Sequence, residues 1–230
     1  MGKLKLKSKH RLLCGDSTSK EDVERLMDGE KADMVFTDPP YGIGYDNEER
    51  WRGTKKQSKN LKRNRGKMIT GDDTDFDPSF ILLCFDYCKE IFIWGMQYFP
   101  DKLKRGGCVV WNRKTREQAD CPFADFELCW SKSTRSAMVW IMWGGYISKE
   151  KGEDRLHTTQ KPIALAQWFF GKWGNGGDVV WDGFLGSGST LIACEQLNRK
   201  CYGMEIDPLY CDVIVKRWEN LTGGKAVCNG

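Results

Sequence analysis

No two of the ten cysteines are spaced Cys-x-x-Cys, and only His10 and His157 could add imidazole ligands, so a local zinc knuckle or ribbon is excluded. No metal is expected. Cys84 and Cys88 lie one helical turn apart in an apolar stretch and read as buried, reduced thiols. No run approaches the roughly 18 apolar residues of a membrane helix, and the lysine-rich residues 1–9 lack the apolar core of a secretory signal. Internal repeats are absent as well. A chain of 230 residues, 40% of them apolar, with a mean hydropathy of −0.56, is expected to form one cytoplasmic domain, 1–230, around a sizeable core.

Acids are missing altogether from residues 50–67, although the net charge is only +4. Arg50, Arg52, Lys55, Lys56, Lys59, Lys62, Arg63, Arg65 and Lys67 fall there, with Trp51 the only large aromatic. Such a stretch cannot bury a core, so 45–70 reads as a mobile basic loop. Its chemistry suits a phosphate backbone, and binding through it would weaken steeply with salt. A solvated charge run with no partner is the plainer alternative.

What is present begins with Asp38-Pro39-Pro40-Tyr41, at the end of the strand-like run 32–37. An amino group conjugated to a heteroaromatic ring is a poor nucleophile, and hydrogen-bond acceptors aimed at it localise its lone pair. Asp38 offers a carboxylate and Pro39 a carbonyl, which two prolines hold in a narrow range of directions. Tyr41 offers a ring on which a base can stack. The tetrapeptide therefore suits methylation of an exocyclic amine.

A second motif stands far downstream. Val179-Val180-Trp181-Asp182 feeds the glycine turn Gly183-Phe184-Leu185-Gly186-Ser187-Gly188, and a helix-like segment follows. Leu191 replaces the third glycine of a dinucleotide fingerprint, and Ser189 replaces the lysine of a phosphate loop. What remains is a turn that lets a ligand approach the backbone closely without a diphosphate, as an adenosyl sulfonium would. Glu205 ends the next strand-like run, placed to accept from both hydroxyls of a ribose.

Taken together, these segments resemble the β-group DNA amino-methyltransferases of bacteria and phages, which methylate adenine N6 or cytosine N4 with S-adenosylmethionine. Residues 12–16, ending in Asp16, resemble the family's first strand motif, and Asp38 to Tyr41 its catalytic motif. His157-Thr158-Thr159-Gln160-Lys161-Pro162 resembles the lead-in to the cofactor half, and 123–130 (Phe-Ala-Asp-Phe-Glu-Leu-Cys-Trp) a further family segment. The resemblance runs from about Leu12 to Arg217 in the family's own permuted order. It implies a Rossmann-like α/β fold, with a mainly parallel seven-stranded sheet and helices on both faces. It also implies that Asp16, Asp38, Lys161, Pro162, Asp182, Phe184, Gly186, Ser187, Gly188 and Glu205 border the cofactor, with Lys161 near its carboxylate. Gly183 and Ser189 stand where the family usually has proline and threonine, which is expected to loosen the start of the loop and weaken the cofactor's hold.

The partner implied is double-stranded DNA with a flipped-out base, in a bacterial or phage-infected cell. The aspartate at 38 leans toward adenine in the family, and cytosine N4 stays open as the alternative. A catalytically silent DNA-binding protein would need only the basic loop. Residues 112–156 are all that is left for target recognition, with Trp140, Trp143 and Tyr146 as candidate base-facing rings. So small an allotment points to limited specificity or to a second subunit, and the sequence says nothing of a restriction partner.

The hydrophobic pattern predicts helices over 21–29, 78–89, 162–172 and 209–221, and buried strands over 90–94 and 107–111. The strands around Val35 and Val180 can be sheet neighbours whatever their order along the chain, because the ligand site of an open parallel sheet lies beyond adjacent carboxyl ends.

Overall fold

Strict alternation along the strands sends side chains into two separate cores, one on each face of a single sheet. On one face Leu12, Met34, Phe36, Phe92, Trp94, Val180 and Cys201 are buried together. Their immediate neighbours Leu13, Val35, Ile91, Ile93, Val179, Trp181 and Tyr202 fill the other. A period of two in residues buried on both sides is the mark of an internal parallel strand.

The computed structural model describes residues 3–6, 9–43, 76–113, 125–136, 138–141 and 160–229. The basic loop 45–70, Trp143, Tyr146, His157, Thr158 and Thr159 lie outside the described residues, as does most of 112–156. The strands are β1 (Lys3–Leu6), β2 (Arg11–Cys14), β3 (Met34–Thr37), β4 (Glu90–Trp94), β5 (Gly107–Asn112), β6 (Phe126–Ser131), β7 (Met138–Ile141), β8 (Val179–Asp182), β9 (Lys200–Glu205) and β10 (Ala226–Asn229). The helices are α1 (Lys20–Met27), α2 (Ser79–Phe85), α3 (Ile163–Trp173), α4 (Ser189–Gln196) and α5 (Pro208–Thr222). They fall within one or two residues of the expected spans, apart from α2, which ends four residues early at Phe85.

The sheet order is β10-β1-β2-β9-β8-β3-β4-β6-β5-β7. Its seven central strands, β2 to β5 in that order, carry four parallel pairings followed by two antiparallel ones. This is the mostly parallel α/β sheet that the sequence predicts. Strand β7 adds to one edge and the β1–β10 pair to the other, making ten strands among the described residues. Helices α3, α4 and α5 cover one face, and α1 and α2 the other.

Strand β3 pairs with β8 in parallel, Met34 opposite Val180 and Val35 opposite Trp181, although some 145 residues separate them. The carboxyl ends of the two motif-bearing strands are therefore adjacent. Local signals set the helices that leave this edge. Ser19 caps α1 by accepting from the Asp22 amide, and Asp207 caps α5 by accepting from Leu209, with Pro208 in the first turn.

A buried histidine ties the N-terminal strand to the cofactor half. His10 Nδ1 accepts from the Cys201 amide at 2.9 Å, and Nε2 lies 2.7 Å from the Glu195 carboxylate, which also accepts from Trp218 Nε1 at 2.9 Å. The Cys201 bond requires Nδ1 to be unprotonated, so the ring is neutral with its proton on Nε2. Burial lowers the His10 pKa below its ordinary 6.5, with Glu195 opposing. The folded-state value lies under the unfolded one, so this stability is present above about pH 6.5 and lost as pH falls through the folded value. Thermal unfolding should therefore show a falling Tm from about pH 7.5 to 5, and a His10→Gln protein a shallower fall over that range.

Candidate active site

Thr37 joins the two motifs. Its hydroxyl donates to Asp182 Oδ1 at 2.9 Å and accepts from the Gly183 amide at 3.3 Å, so the end of β3 and the start of the glycine turn are one hydrogen-bonded unit. Asp182 also accepts from the Phe184 amide at 3.0 Å. It is buried, and that burial pushes its carboxyl up to about 6.

Asp38 follows directly and is the centre of an alternating row of charges. Its Oδ1 accepts from the Tyr41 hydroxyl at 2.5 Å, and its Oδ2 pairs with the Lys161 ammonium. Lys161 also meets Glu127 Oε2 at 3.2 Å and lies 5.0 Å over the Trp94 ring, while Arg113 holds the other oxygen of Glu127 at 2.5 Å. Burial raises the Asp38 pKa; Lys161 opposes the shift and Glu127 adds to it. The ammonium beside Asp38 is what favours a carboxylate there in a site largely shut off from water. The structure thus pairs Lys161 with Asp38 and Glu127, contacts the sequence does not disclose.

Tyr41 is fixed on several sides. Its ring stacks on Tyr98 with centroids 4.6 Å apart and planes 18° from parallel, and meets Phe99 edge-on at 6.2 Å. Gly95 packs so close that a Cβ there would lie 2.1 Å from Tyr41 Cε1, and its φ of +79° already favours glycine. Gly95 and Tyr98 pack against Tyr41, and Glu127 and Arg113 continue the ion-pair row from Asp38; sequence reasoning missed all four. Glu127 lies within the family-like 123–130 segment, and that was its only signal.

On the other side of Thr37 is the glycine turn. Gly186 and Gly188 have φ of +53° and +87°, and α4 starts directly after Gly188. Glu205, buried at the end of β9, accepts from the Gly186 amide through Oε2 at 2.8 Å and from Asp207 through Oε1 at 3.0 Å. The Ile206 amide bonds the same carboxylate, which leaves one acceptor position for a ligand hydroxyl. Asp16 is exposed just past β2, its Oδ1 accepting from the Thr18 amide and hydroxyl at 2.8 and 2.7 Å. The Gly15 amide donates to the Glu205 carbonyl at 3.1 Å, so these two acids end neighbouring strands. Ser187 is held from behind, its carbonyl and hydroxyl accepting from Arg217 at 2.6 and 3.2 Å. Ser189 Oγ is buried with no partner among the described residues, a polar atom that a ligand at the turn could satisfy. Phe184 meets Phe76 edge-on at 5.2 Å. Pro39 is buried behind Asp38, Pro40 is half-buried, and Pro162 caps α3 immediately after Lys161.

Gly183 does not loosen the loop. A Cβ there would lie 2.5 Å from Trp181 Cη2 and 2.9 Å from Ser17 Cβ, so the indole fills the space that a side chain would need. The departure from proline is matched by a neighbour, and the turn is packed at its start.

The site therefore presents hydrogen-bond acceptors and a stacked ring at one strand end. A glycine turn, with the buried Glu205 carboxylate bonded to it, lies at the next. Residues 129–216 match the family model N6_N4_Mtase, described as DNA methylase. The chain is similar to the orphan methyltransferase M.BamHII of Bacillus amyloliquefaciens, 41% identical over 64 residues; that match spans 28% of this chain and about a quarter, 24%, of the relative's length. Among solved structures, the M1.HpyAVI–SAM complex superposes with a TM-score of 0.57 at 19% identity, over 90% of this chain and 98% of that one. The PvuII DNA methyltransferase, described as cytosine-N4-specific, gives 0.55 at 14% identity over 92% and 86%. Those likenesses share a fold, the Rossmann-like sheet of S-adenosylmethionine-dependent methyltransferases. Motifs, family model and fold agree in their likeness to the N6-adenine/N4-cytosine DNA methyltransferases.

Proposed function

We propose that this protein transfers a methyl group from S-adenosylmethionine to the N6 amino group of an adenine flipped out of duplex DNA. The observation that carries the reading is the Thr37–Asp182 junction, which sets the Asp38 carboxylate beside the glycine turn across adjacent parallel strands. When bound, the cofactor supplies a methyl already activated on sulfonium, so the chain need only position and polarise the acceptor. Asp38 and the Pro39 carbonyl accept from the amino group and keep its lone pair out of the ring; Tyr41 carries the base. Gly186, Ser187 and Gly188 would lie along the cofactor, Glu205 would hold its ribose and Asp16 its adenine. Asp182 and Phe184 shape the turn. The basic stretch containing Arg50 to Lys67 would hold phosphates, giving affinity that falls steeply with salt.

Label from methyl-labelled cofactor should enter unmethylated duplex DNA and not duplex RNA or bulk protein. Label in RNA or protein alone would overturn the choice of acceptor.

Lys161 gives this reading a pH signature. Asp38 must be ionised to accept from the amine, burial works against that, and Lys161 works for it. In a Lys161→Met protein the Asp38 pKa rises, so the acid limb of kcat/KM should move to higher pH. Among the described residues, the other ionisable groups facing Asp38 are Tyr41, Glu127, Cys129 and Asp182; all are retained in the variant. A pH profile that keeps its acid limb in place, with only its height reduced, would mean that Lys161 does not tune this carboxylate.

A further inference from the structure

The ring face that Tyr41 should offer to a base is already taken. Tyr98 lies on it at 4.6 Å and 18°, the geometry of a stacked base. Gly95 leaves no room for even a methyl group against the Tyr41 ring, and Phe99 closes a further approach edge-on. The main chain at Gly95 cannot retreat easily, because its amide donates to the Leu128 carbonyl at 2.8 Å. Of the two tyrosines, Tyr41 is the anchored one, since its hydroxyl is bound to Asp38. Tyr98 is 41% exposed and sits in a single 3₁₀ turn, Met96–Tyr98. The bonds of that turn, Tyr98 to Gly95 and Phe99 to Met96, run between backbone atoms, so the ring can rotate away without breaking either.

We propose that Tyr98 is a stand-in for the target base: it occupies the stacking face of Tyr41 in the free protein and swings out when the flipped base arrives. This rests on the reading of Tyr41 as the base platform. The stand-in keeps a large apolar ring face dry before DNA binds, and it sets an energetic toll on flipping that only a base able to stack as well as a tyrosine ring repays. Tyr98 thus acts on the selection of the base and leaves the methyl-transfer step alone.

The test uses the full chain and a duplex carrying its mapped methylation site, with 2-aminopurine at the target position. Removing the competing ring in Tyr98→Ala should lower the concentration that half-saturates the fluorescence change by roughly three- to tenfold, about the worth of one ring stack. KM for DNA should fall in parallel, with kcat within about twofold of wild type. Tyr98→Phe keeps the ring and should behave as wild type, which separates stacking from loss of the fold. Half-saturation unchanged or raised in Tyr98→Ala would overturn the proposal; a raised value would make Tyr98 a jaw that clamps the base. Failure of the underlying reading is distinguishable, because then the wild-type protein itself would neither methylate DNA nor alter the fluorescence.

Discussion

An Asp38→Ala protein is expected to fold, to bind S-adenosylmethionine at most about tenfold more weakly than wild type, and to transfer methyl at under about a thousandth of the wild-type rate. The loss corresponds to roughly 4 kcal/mol of barrier, which removal of a preorganised partner from a dry site can supply. The substitution removes the acceptor aimed at the amine. It also strips Lys161 of one partner, leaving its ammonium with Glu127 at 3.2 Å and the Trp94 ring, and removes the acceptor of the Tyr41 hydroxyl. The turn keeps its bonds, since Gly186 and Asp207 donate to Glu205 and not to Asp38. Equilibrium cofactor binding and single-turnover transfer, measured on the same preparation, separate the two effects. An Asp38→Ala protein retaining more than about a thousandth of the activity would show that the acceptor lies elsewhere.

Gly95→Ala should produce the next largest effect, from a residue that touches neither DNA nor cofactor in this reading. At φ +79° an alanine costs about 1–2 kcal/mol for backbone conformation alone. The new Cβ would also sit 2.1 Å from Tyr41 Cε1 and 2.7 Å from Cδ1 and Cζ, so the ring must leave. It carries its hydroxyl away from Asp38. Misplacing a positioning group by an ångström costs on the order of a hundredfold in rate, and that is the fall expected in methyl transfer. Cofactor affinity should stay near wild type, and Tm should drop by several degrees, at roughly 2–4 °C per kcal/mol for a chain of this size. Wild-type turnover in a folded Gly95→Ala protein would mean that the position of Tyr41 is immaterial.

These two positions show what the sequence reveals and what it withholds. The place of Asp38 was legible because a local signal carries it: an apolar run followed by two prolines and an aromatic marks a strand end within ten residues. The glycine turn and Glu205 were legible for the same reason. Gly95, Tyr98 and Glu127 were not, because each acquires its role by meeting a residue remote in the chain. Lys161 reaches Asp38 across 123 positions, and no periodicity encodes that. The adjacency of β3 and β8 follows from the parallel-sheet rule, whereas the β1–β10 edge pair was missed. Lys3-Leu4-Lys5-Leu6 has the alternation of a strand, but the lysine-rich start was weighed only as a secretory signal, and its partner strand is remote in the sequence. The effect of Gly183 was misjudged because the residue that fills its missing side chain, Trp181, stands on the strand before it.

The account is tested most directly by mass spectrometry of nucleosides from unmethylated duplex DNA incubated with the protein and S-adenosylmethionine. It predicts N6-methyldeoxyadenosine, absent when Asp38→Ala is used. N4-methyldeoxycytidine in its place would preserve the chemistry derived for Asp38 and contradict adenine as the base. Unmodified DNA from a protein that binds the cofactor would contradict the account at its centre.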